Sequence, residues 1–530
     1  MSIPLAVSRS EVYQEFTPEF AENWFDLKQK KYLFNYDNLY YSVFLDEDIH
    51  SDVVSIGIGS LLLDLKKLKE HFSSKLDPPQ YGIYDYYPFG YKFYNNTLSY
   101  NEEFDILLTN NIPNRSTPRI VVQIRSRCIW QRGYVGAFEY SLKHLLELLK
   151  EFEIDVFKIG VNRIDYAFHT NCIQNMEKLF DRPHLVKHCV TNTRIYNAVG
   201  DPQNEWSIDY FSVGSRKSNS VFFRSYNKTR EVVEQAYKSF FIDKWHKEGL
   251  ISAYDKWCLE QAYQKASYDV GILIARIDWY LQFGKDEDLK NTILKLKTKY
   301  YAKNSNSTQI KKKIDPAWIE DDNKVINRVL PPVTMIVNFE FETHRTFYDS
   351  FANSMDNAVV TTEYDCLRTY ILKVYECRKS FIRYLTSKGG TIAFVADKSI
   401  KPKDFTEEHY MDFWQRLRRV DVGTDFEPEL SREYVRNIDV EKLLRRIVSG
   451  ISSLSAISKP ANSDDLDIDF SDLVSYLNDN HKQKGSFVPV DVDTGLMAKI
   501  KYGDYSTIKD RKNRQYRTLV PSSPQNDEQK

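Results

Sequence analysis

Tyr226 lies between two cations in a stretch that alternates like a β-strand. Residues 207–231 begin with a short apolar strand, turn through a Gly-Ser-Arg-Lys-Ser segment and return as a second strand. On that second strand Arg224, Tyr226 and Lys228 point to one side, because side chains alternate across a strand. A phenol has a reference pKa of about 10, and nearby positive charge favours its ionised form. This spacing suits a tyrosine that attacks a phosphate.

Ordinary roles explain many tyrosines in this chain, which has 36 of them. Most tyrosines in proteins are amphipathic residues of the core or its rim. The Gly-Ser-Arg-Lys-Ser segment also fits an exposed hairpin turn with solvated charges. Only its place on a polar strand face distinguishes Tyr226 from the others.

Two further segments offer acidic groups that could meet this tyrosine. Residues 156–169 are predicted to form a strand that carries Arg163 and Asp165, and the alternation of residues 273–283 predicts another with Arg276 and Asp278. Neighbouring strands lie about 4.8 Å apart, so one sheet face could gather the tyrosine and both aspartates. Carboxylates are hard oxygen ligands suited to Mg²⁺ or Mn²⁺. Such an ion would polarise a phosphate and stabilise the charge that develops in an in-line displacement.

Contact with DNA would require local positive charge, because the 73 Lys and Arg residues nearly balance the 74 Asp and Glu residues. Phosphates pair with cations, and unpaired bases can stack on aromatic rings such as Tyr300 and Tyr301. Lysines on the solvated face of an amphipathic helix explain the basic stretch 290–313 almost as well. The candidate DNA-binding residues are Arg119, Arg125 and Arg127 on a predicted strand, Arg216 and Lys217 in the turn, and Lys311, Lys312 and Lys313.

Other clusters have competing structural explanations. His184, His188 and Cys189 have a spacing that could serve zinc on a helix, but Pro183 favours a loop there and no fourth ligand is near. Glu340, Glu342 and His344 share one side of a predicted strand, 335–345, where a solvated face is the simpler explanation. The chain has no P-loop motif, which argues against an intrinsic helicase motor.

The predicted elements alternate between strands and helices. A chain of 530 residues predicts two or three domains. Six dispersed cysteines without a Cys-x-x-Cys pair favour free thiols in a reducing compartment, and the absence of a long apolar run favours a cytoplasmic protein. Strands are predicted at 40–45, 53–58, 119–128, 156–169, 273–283 and 335–345, with a hairpin turned at 95–96. Helices are predicted at 61–72, 136–152, 231–264, 364–388, 406–419 and 440–457.

Six segments resemble, in order, those of the Rep-trans family of rolling-circle replication initiators and related relaxases. They are F-G-Y-K (89–92), V-V-Q-I-R-S-R-C (121–128), R-I-D-Y-A-F-H (163–169), G-S-R-K-S (214–218), R-S-Y-N-K-T-R-E (224–231) and A-R-I-D-W-Y-L (275–281). The resemblance covers residues 40–345, and G-S-R-K-S followed by Y-N-K-x-x-E is its most specific part. Two positions depart from the family pattern. His169 stands where an acidic residue is usual, about 13 Å along an extended strand from Asp165, and Asp278 stands where Glu is common.

This resemblance implies an α+β fold, in which two related strand–helix–strand modules form an antiparallel sheet with helices on one face. It also implies a strand-specific DNA endonuclease and ligase. Tyr226 would form a 5′-phosphotyrosine link, Arg224 and Lys228 would assist it, and Asp165, Asp278 and Glu231 would bind Mg²⁺ or Mn²⁺. For Glu231, a helix N-terminal charge is an equal alternative. A non-catalytic, sequence-specific DNA-binding regulator remains the alternative for the whole protein.

The domain prediction follows from the same resemblance. It divides the chain into a lead-in (1–35), a nicking and DNA-binding domain (36–345), a helical C-terminal region (346–460) and a mobile tail (461–530). The expected partners are origin DNA as duplex, hairpin or single strand, with a host helicase and a second copy of the chain as further candidates. No membrane partner is expected.

Overall fold

The computed structural model describes the central part of the chain. The described residues are 31–45, 51–90, 93–110, 118–154, 157–173, 176–180, 182–191, 195–197, 210–214, 220–235, 238–302, 322–327, 330–359, 367–387, 391–400 and 406–432. Several predictions fall outside these residues. They concern the helix at 440–457, the tail 461–530, and the candidate DNA contacts Arg216, Lys217, Lys311, Lys312 and Lys313.

Eleven strands form one antiparallel sheet in the order β2-β3-β4-β5-β6-β1-β7-β12-β11-β10-β9, and β8 pairs with β13 in a second, small sheet. The strands are β1 (Tyr32–Leu45), β2 (Gln80–Tyr81), β3 (Tyr84–Tyr87), β4 (Asn96–Tyr100), β5 (Phe104–Leu108), β6 (Ile120–Arg125), β7 (Phe157–Thr170), β8 (Cys189–Thr191), β9 (Ile195–Asn197), β10 (Tyr210–Val213), β11 (Val221–Asn227), β12 (Val337–His344) and β13 (Ile392–Phe394).

The described residues include fourteen α-helices with defined bounds. They are α1 (Ser51–Glu70), α2 (Ser126–Lys150), α3 (Met176–Phe180), α4 (Arg182–His188), α5 (Lys228–Glu234), α6 (Phe240–Lys247), α7 (Ala253–Lys265), α8 (Asp269–Phe283), α9 (Glu287–Ala302), α10 (Arg345–Asp349), α11 (Ala352–Ala358), α12 (Thr369–Glu376), α13 (Arg378–Leu385) and α14 (Asp412–Arg418). The predicted α+β class with a large antiparallel sheet is confirmed. None of the described helices is long and apolar enough to cross a membrane.

The central strands separate an apolar face from a polar one. On β7 and β12, aromatic residues such as Phe168, Phe339 and Phe341 alternate with polar ones, so the aromatic rings share one face of the sheet. Helix α2 packs against that face, and so do side chains of the described residues that follow β12, among them Phe381 and Trp414. The C-terminal helices therefore share a hydrophobic core with the sheet.

Two predicted strands are helices. Residues 53–58 belong to α1, where Val54, Ile58, Leu61 and Leu65 are buried at helical spacing. Residues 273–283 belong to α8. The apolar residues of that segment also recur at positions 270, 273, 274 and 277, and a short apolar run supports both periods equally. Burial against α7 and α9 favours the helix.

Two predicted boundaries are also corrected. Asn96 is the first residue of β4 and does not lie in the turn, because Tyr87 at the end of β3 already pairs with Thr97. Helix α2 begins at Ser126, ten residues before its predicted start, and a non-helical Gly133 with φ of 74° separates its first turns from the rest. Arg127 is consequently on a helix and does not share the strand face of Arg125.

Candidate functional site

Tyr226 lies on the polar face of the sheet, where charged residues of β7, β11 and β12 are its neighbours. In the strand register Glu340 pairs with Arg224, Asn338 pairs with Tyr226, and Glu342 pairs with Asp165. The strand beside Tyr226 is thus β12, which takes the place that the sequence suggested for residues 273–283. The prediction that Asp278 lies on a sheet face with Asp165 is wrong, because Asp278 is on α8, next to Cys258.

The hydroxyl of Tyr226 lies in a fully polar environment although its residue is only 8% exposed. It donates to Glu340 Oε2 at 2.9 Å and accepts from Asn338 Nδ2 at 2.9 Å and from Lys228 Nζ at 3.3 Å. Arg224 forms an ion pair with the other oxygen of Glu340. One carboxylate, one amide and one ammonium group therefore hold the phenolic oxygen in place.

Lys228 is fully buried and is the first residue of α5, directly after the end of β11. Asn227 caps α5 by accepting a hydrogen bond from the backbone N–H of Arg230 at 3.0 Å. Lys228 Nζ then lies 2.7 Å from Glu231 Oε2 and 3.4 Å from Asp37 Oδ2. Asp37 reaches this position from a register shift in β1, between Tyr36 and Asn38. Glu231 is also paired with Lys238, at 2.7 Å.

Burial and these ion pairs fix the charge states of the site. Burial, Glu231 and Glu340 raise the pKa of Tyr226 well above its usual value, against Lys228 and Arg224. Burial alone would lower the pKa of Lys228, but Asp37 and Glu231 hold it well above its usual value. Burial raises the pKa of Glu340, although Arg224 opposes this. In this arrangement Lys228 is charged and Tyr226 is neutral.

Asp165 is held by one residue of its own strand and one of β1. Arg163 donates two hydrogen bonds to it, at 2.8 and 2.6 Å, and Asn38 Nδ2 donates a third at 3.0 Å. The same guanidinium lies 2.8 Å from Glu342, which in turn lies 3.2 Å from His344. Arg163 therefore joins two carboxylates that face each other across β7 and β12.

The three predicted metal ligands do not come together. Asp165 is bound to Arg163, Glu231 to two lysines, and Asp278 lies on a helix outside the sheet. Within the part of the chain that the structure describes, no three Asp, Glu, His or Cys side chains are arranged to hold a metal ion. The side chains present thus do not fit an ion in this arrangement.

Several other candidate residues have structural partners. Arg276 on α8 is buried and donates to Tyr254 on α7 and to three acceptors further along the chain, Asn323, Asn327 and the carbonyl of Leu330. Arg125 makes a two-pronged contact with Asp105 at 2.8 Å, and Arg127 lies 3.2 Å from Glu102. Their side chains remain 35% and 45% exposed.

The histidines also occupy structural positions. His169 is fully buried, stacks on Trp130 and accepts a hydrogen bond from Trp245 Nε1 at 3.0 Å. His184 and His188 lie on α4, which includes Pro183 in its first turn, so the loop expected there is a helix. His188 contacts the carbonyl of Val395.

Sequence reasoning missed Asp37, Asn338 and the role of Glu340. The alternation of β12 placed Asn338 and Glu340 on one side of a strand, but it gave no sign that this strand lies beside Tyr226. Asp37 has no such signal, because it occupies an irregular position in its strand.

No family model matches this chain, and no curated protein matches it. A solved structure of a rolling-circle replication initiator protein from Geobacillus stearothermophilus is similar to it at 10% identity and a TM-score of 0.27. The match covers 72% of this chain and 94% of that chain. So distant a likeness transfers no residue roles, and the chemistry of the site rests on its own side chains.

Proposed function

We propose that this chain is a DNA strand-transferase of the rolling-circle initiator type, with Tyr226 as its nucleophile. The observation that carries the proposal is the contact of the Tyr226 hydroxyl with a carboxylate that can accept its proton and an ammonium group that can offset negative charge. Attack on a phosphodiester would leave a 5′-phosphotyrosine link and a free 3′-hydroxyl. The later reverse reaction would rejoin the strand.

The cations of the polar face would bind the DNA phosphates and stabilise their charge. Arg224 and Lys228 would stabilise the charge on the attacked phosphate, since both already lie against the ring of Tyr226. Arg163 and Arg125 lie on the same sheet face, with side chains 17% and 35% exposed, and could contact DNA phosphates. Each is now paired with a carboxylate, so a DNA phosphate would replace that carboxylate as the partner. Because Tyr226 is nearly buried, DNA binding would also have to open the site.

A divalent ion stays part of the proposal, without a step assigned to it. Asp165 is the one predicted ligand on the polar face, and it would have to leave Arg163 to bind Mg²⁺ or Mn²⁺. Origin DNA is the proposed substrate. A host helicase, a second copy of the chain and a cytoplasmic setting remain predictions.

Covalent capture tests the proposal. Single-stranded oligonucleotides of random sequence, labelled at the 3′ end, are incubated with the full chain and Mn²⁺ and then denatured. We expect label to migrate with the protein and to map to Tyr226 by mass spectrometry. Tyr226→Phe should abolish the adduct, whereas Tyr210→Phe should retain it. Tyr210 is a matched control because it pairs with Tyr226 across the adjacent strand, with ring centroids 6.5 Å apart. An undiminished adduct in Tyr226→Phe would remove this residue from its role.

A non-catalytic DNA-binding regulator is the second candidate. The burial of Tyr226 and the pairing of Arg163, Arg224 and Arg125 with carboxylates favour it, because such a network can serve stability alone. This candidate predicts salt-dependent DNA binding without any adduct, with or without Mn²⁺. Equal binding by the Tyr226→Phe variant would agree with both candidates, so the adduct decides between them.

A further inference from the structure

Among the described residues, Glu340 is the carboxylate that accepts a hydrogen bond from the Tyr226 hydroxyl. Its Oε2 accepts from the hydroxyl at 2.9 Å and from Asn338 Nδ2 at 3.2 Å, while Oε1 faces Arg224. The side chain is fully buried, so its position is fixed by these three contacts. A proton acceptor must lie within about 2.6–3.2 Å of the proton donor, and Glu340 satisfies this.

We propose that Glu340 is the general base of the reaction, which takes the proton of Tyr226 as the phenolic oxygen attacks phosphorus. The inference rests on the proposed function, because it assigns a role within the same site. Asn338 acts as a positioning residue. Its amide donates both to the phenolic oxygen and to the accepting carboxylate oxygen, and so holds the two at hydrogen-bonding distance.

The step balances without a further reactant. The O–H bond of Tyr226 breaks and its proton passes to Glu340 Oε2, while the oxygen forms a bond to phosphorus. The bond between phosphorus and the 3′-oxygen breaks, and that oxygen takes a proton from water to become the free 3′-hydroxyl. Glu340 then loses its proton to solvent. In the rejoining reaction the 3′-hydroxyl loses its proton to water as its oxygen attacks phosphorus. Glu340, protonated again from solvent, gives its proton to the departing phenolic oxygen of Tyr226.

The charged groups around the pair favour this transfer. Burial raises the pKa of Glu340, and Asp165 on β7 and Asp37 on β1 act in the same direction, which favours the protonated carboxyl as an end point of the transfer. Arg224 on β11 opposes them and favours the ionised carboxylate that accepts the proton. Lys228 lies 3.3 Å from the phenolic oxygen and would stabilise it as the proton leaves. The other near acid, Glu231, is paired with Lys228 and Lys238, and its pKa is lowered by them against burial, which makes it a weaker acceptor.

The opposing explanation is that Glu340 only neutralises Arg224. Both roles predict a defect when the carboxylate is lost, so the experiment must measure something that a structural role leaves unchanged. The acidity of the nucleophile provides this readout. A base is needed less when the phenol ionises by itself, either at high pH or when fluorinated tyrosine replaces Tyr226.

The test compares rates of adduct formation for the full chain and Glu340→Gln, with the same labelled random single strands and Mn²⁺. We expect a loss of about 100- to 10,000-fold near neutral pH, the range of general base catalysis. This deficit should shrink as the pH rises and should shrink again with fluorinated tyrosine at position 226. Glu340→Asp keeps a carboxylate, so its adduct rate should depend on pH as that of the unsubstituted chain does. This variant replaces Glu340→Gln in the test if Glu340→Gln does not fold.

The control is Glu139→Gln. Glu139 also pairs with an arginine, Arg368, at 2.9 Å, but it lies on α2. We expect its adduct rate to equal that of the unsubstituted chain. A deficit in Glu340→Gln that is constant across pH and unaffected by fluorination would overturn the inference, and so would an unchanged rate. An unsubstituted chain that forms no adduct would instead overturn the proposed function itself.

Discussion

Replacing Lys228 by Met should destabilise the protein strongly, because it leaves a buried carboxylate without its cation. The Lys228 side chain is fully buried, and the side chains of Asp37 and Glu231 are 5% and 20% exposed. Glu231 keeps Lys238 as a partner, but Asp37 Oδ1 has no hydrogen-bond partner among the residues that the structure describes. Removing one member of a buried pair costs about 3–5 kcal/mol. We therefore expect a loss of that size in the free energy of unfolding near neutral pH.

Urea denaturation followed by circular dichroism measures this loss. Lys67→Met is the matched control, because Lys67 also pairs with an acid three residues away in a helix, Asp64 at 2.9 Å, but its side chain is 65% exposed. Exposed pairs contribute about 0–1 kcal/mol, so this variant should unfold nearly as the unsubstituted chain does. Adding Asp37→Asn to Lys228→Met removes the orphaned charge and should recover part of the stability.

The pH dependence gives a second check on the same reasoning. The pKa of Asp37 is lowered: burial alone would raise it, but Lys228 and Lys238 outweigh burial. Its contribution to stability is therefore present above its unfolded value of about 4 and lost as the pH falls below that value. In Lys228→Met burial would raise this pKa, so the variant should lose less stability in acid. Two results would refute the argument. One is a difference in unfolding free energy between the unsubstituted chain and Lys228→Met that does not narrow towards pH 3. The other is a loss of unfolding free energy in Lys228→Met below about 1 kcal/mol at neutral pH.

Three further predictions follow from the described contacts. Arg276→Met should lower the free energy of unfolding by about 1–3 kcal/mol, because it removes the donor to the buried carbonyl of Leu330. Filter binding of single-stranded DNA should be unchanged. His169 should make the protein less stable in acid, because burial lowers its pKa and the stability present above about pH 6.5 is lost as the pH falls. In His169→Gln the free energy of unfolding, measured with urea, should depend less on pH in this range. Chelation of Mn²⁺ with EDTA should reduce the rate of adduct formation. Asp165→Asn should raise the Mn²⁺ concentration at which this rate is half-maximal. A rate that EDTA does not change would remove the metal from the proposal.

Local alternation predicted the elements that carry the nucleophile. The segments that became β7 and β12 alternate polar residues with aromatic or aliphatic ones, and on β11 the two-residue period places Arg224 and Tyr226 on one side. This period alone predicted which side chains share a face. It also placed Arg224 beside Tyr226 correctly. The prediction of a strand at 273–283 was wrong, because the apolar residues of α8 fit a two-residue period and a helical period equally well. Burial of α8 on several sides favours the helix.

The sequence determined that Tyr226 stands on a polar strand face between two cations. Tertiary structure alone decided what lies next to it, because alternation specifies the face of a strand and carries no information about its neighbour. The pairing of β11 with β12 joins Tyr226 to Glu340, 114 residues further along the chain. The irregular position of Asp37 in β1 and the burial of Lys228 likewise depend on packing between distant segments. The charge balance that keeps the phenol neutral is therefore a property of the assembled sheet.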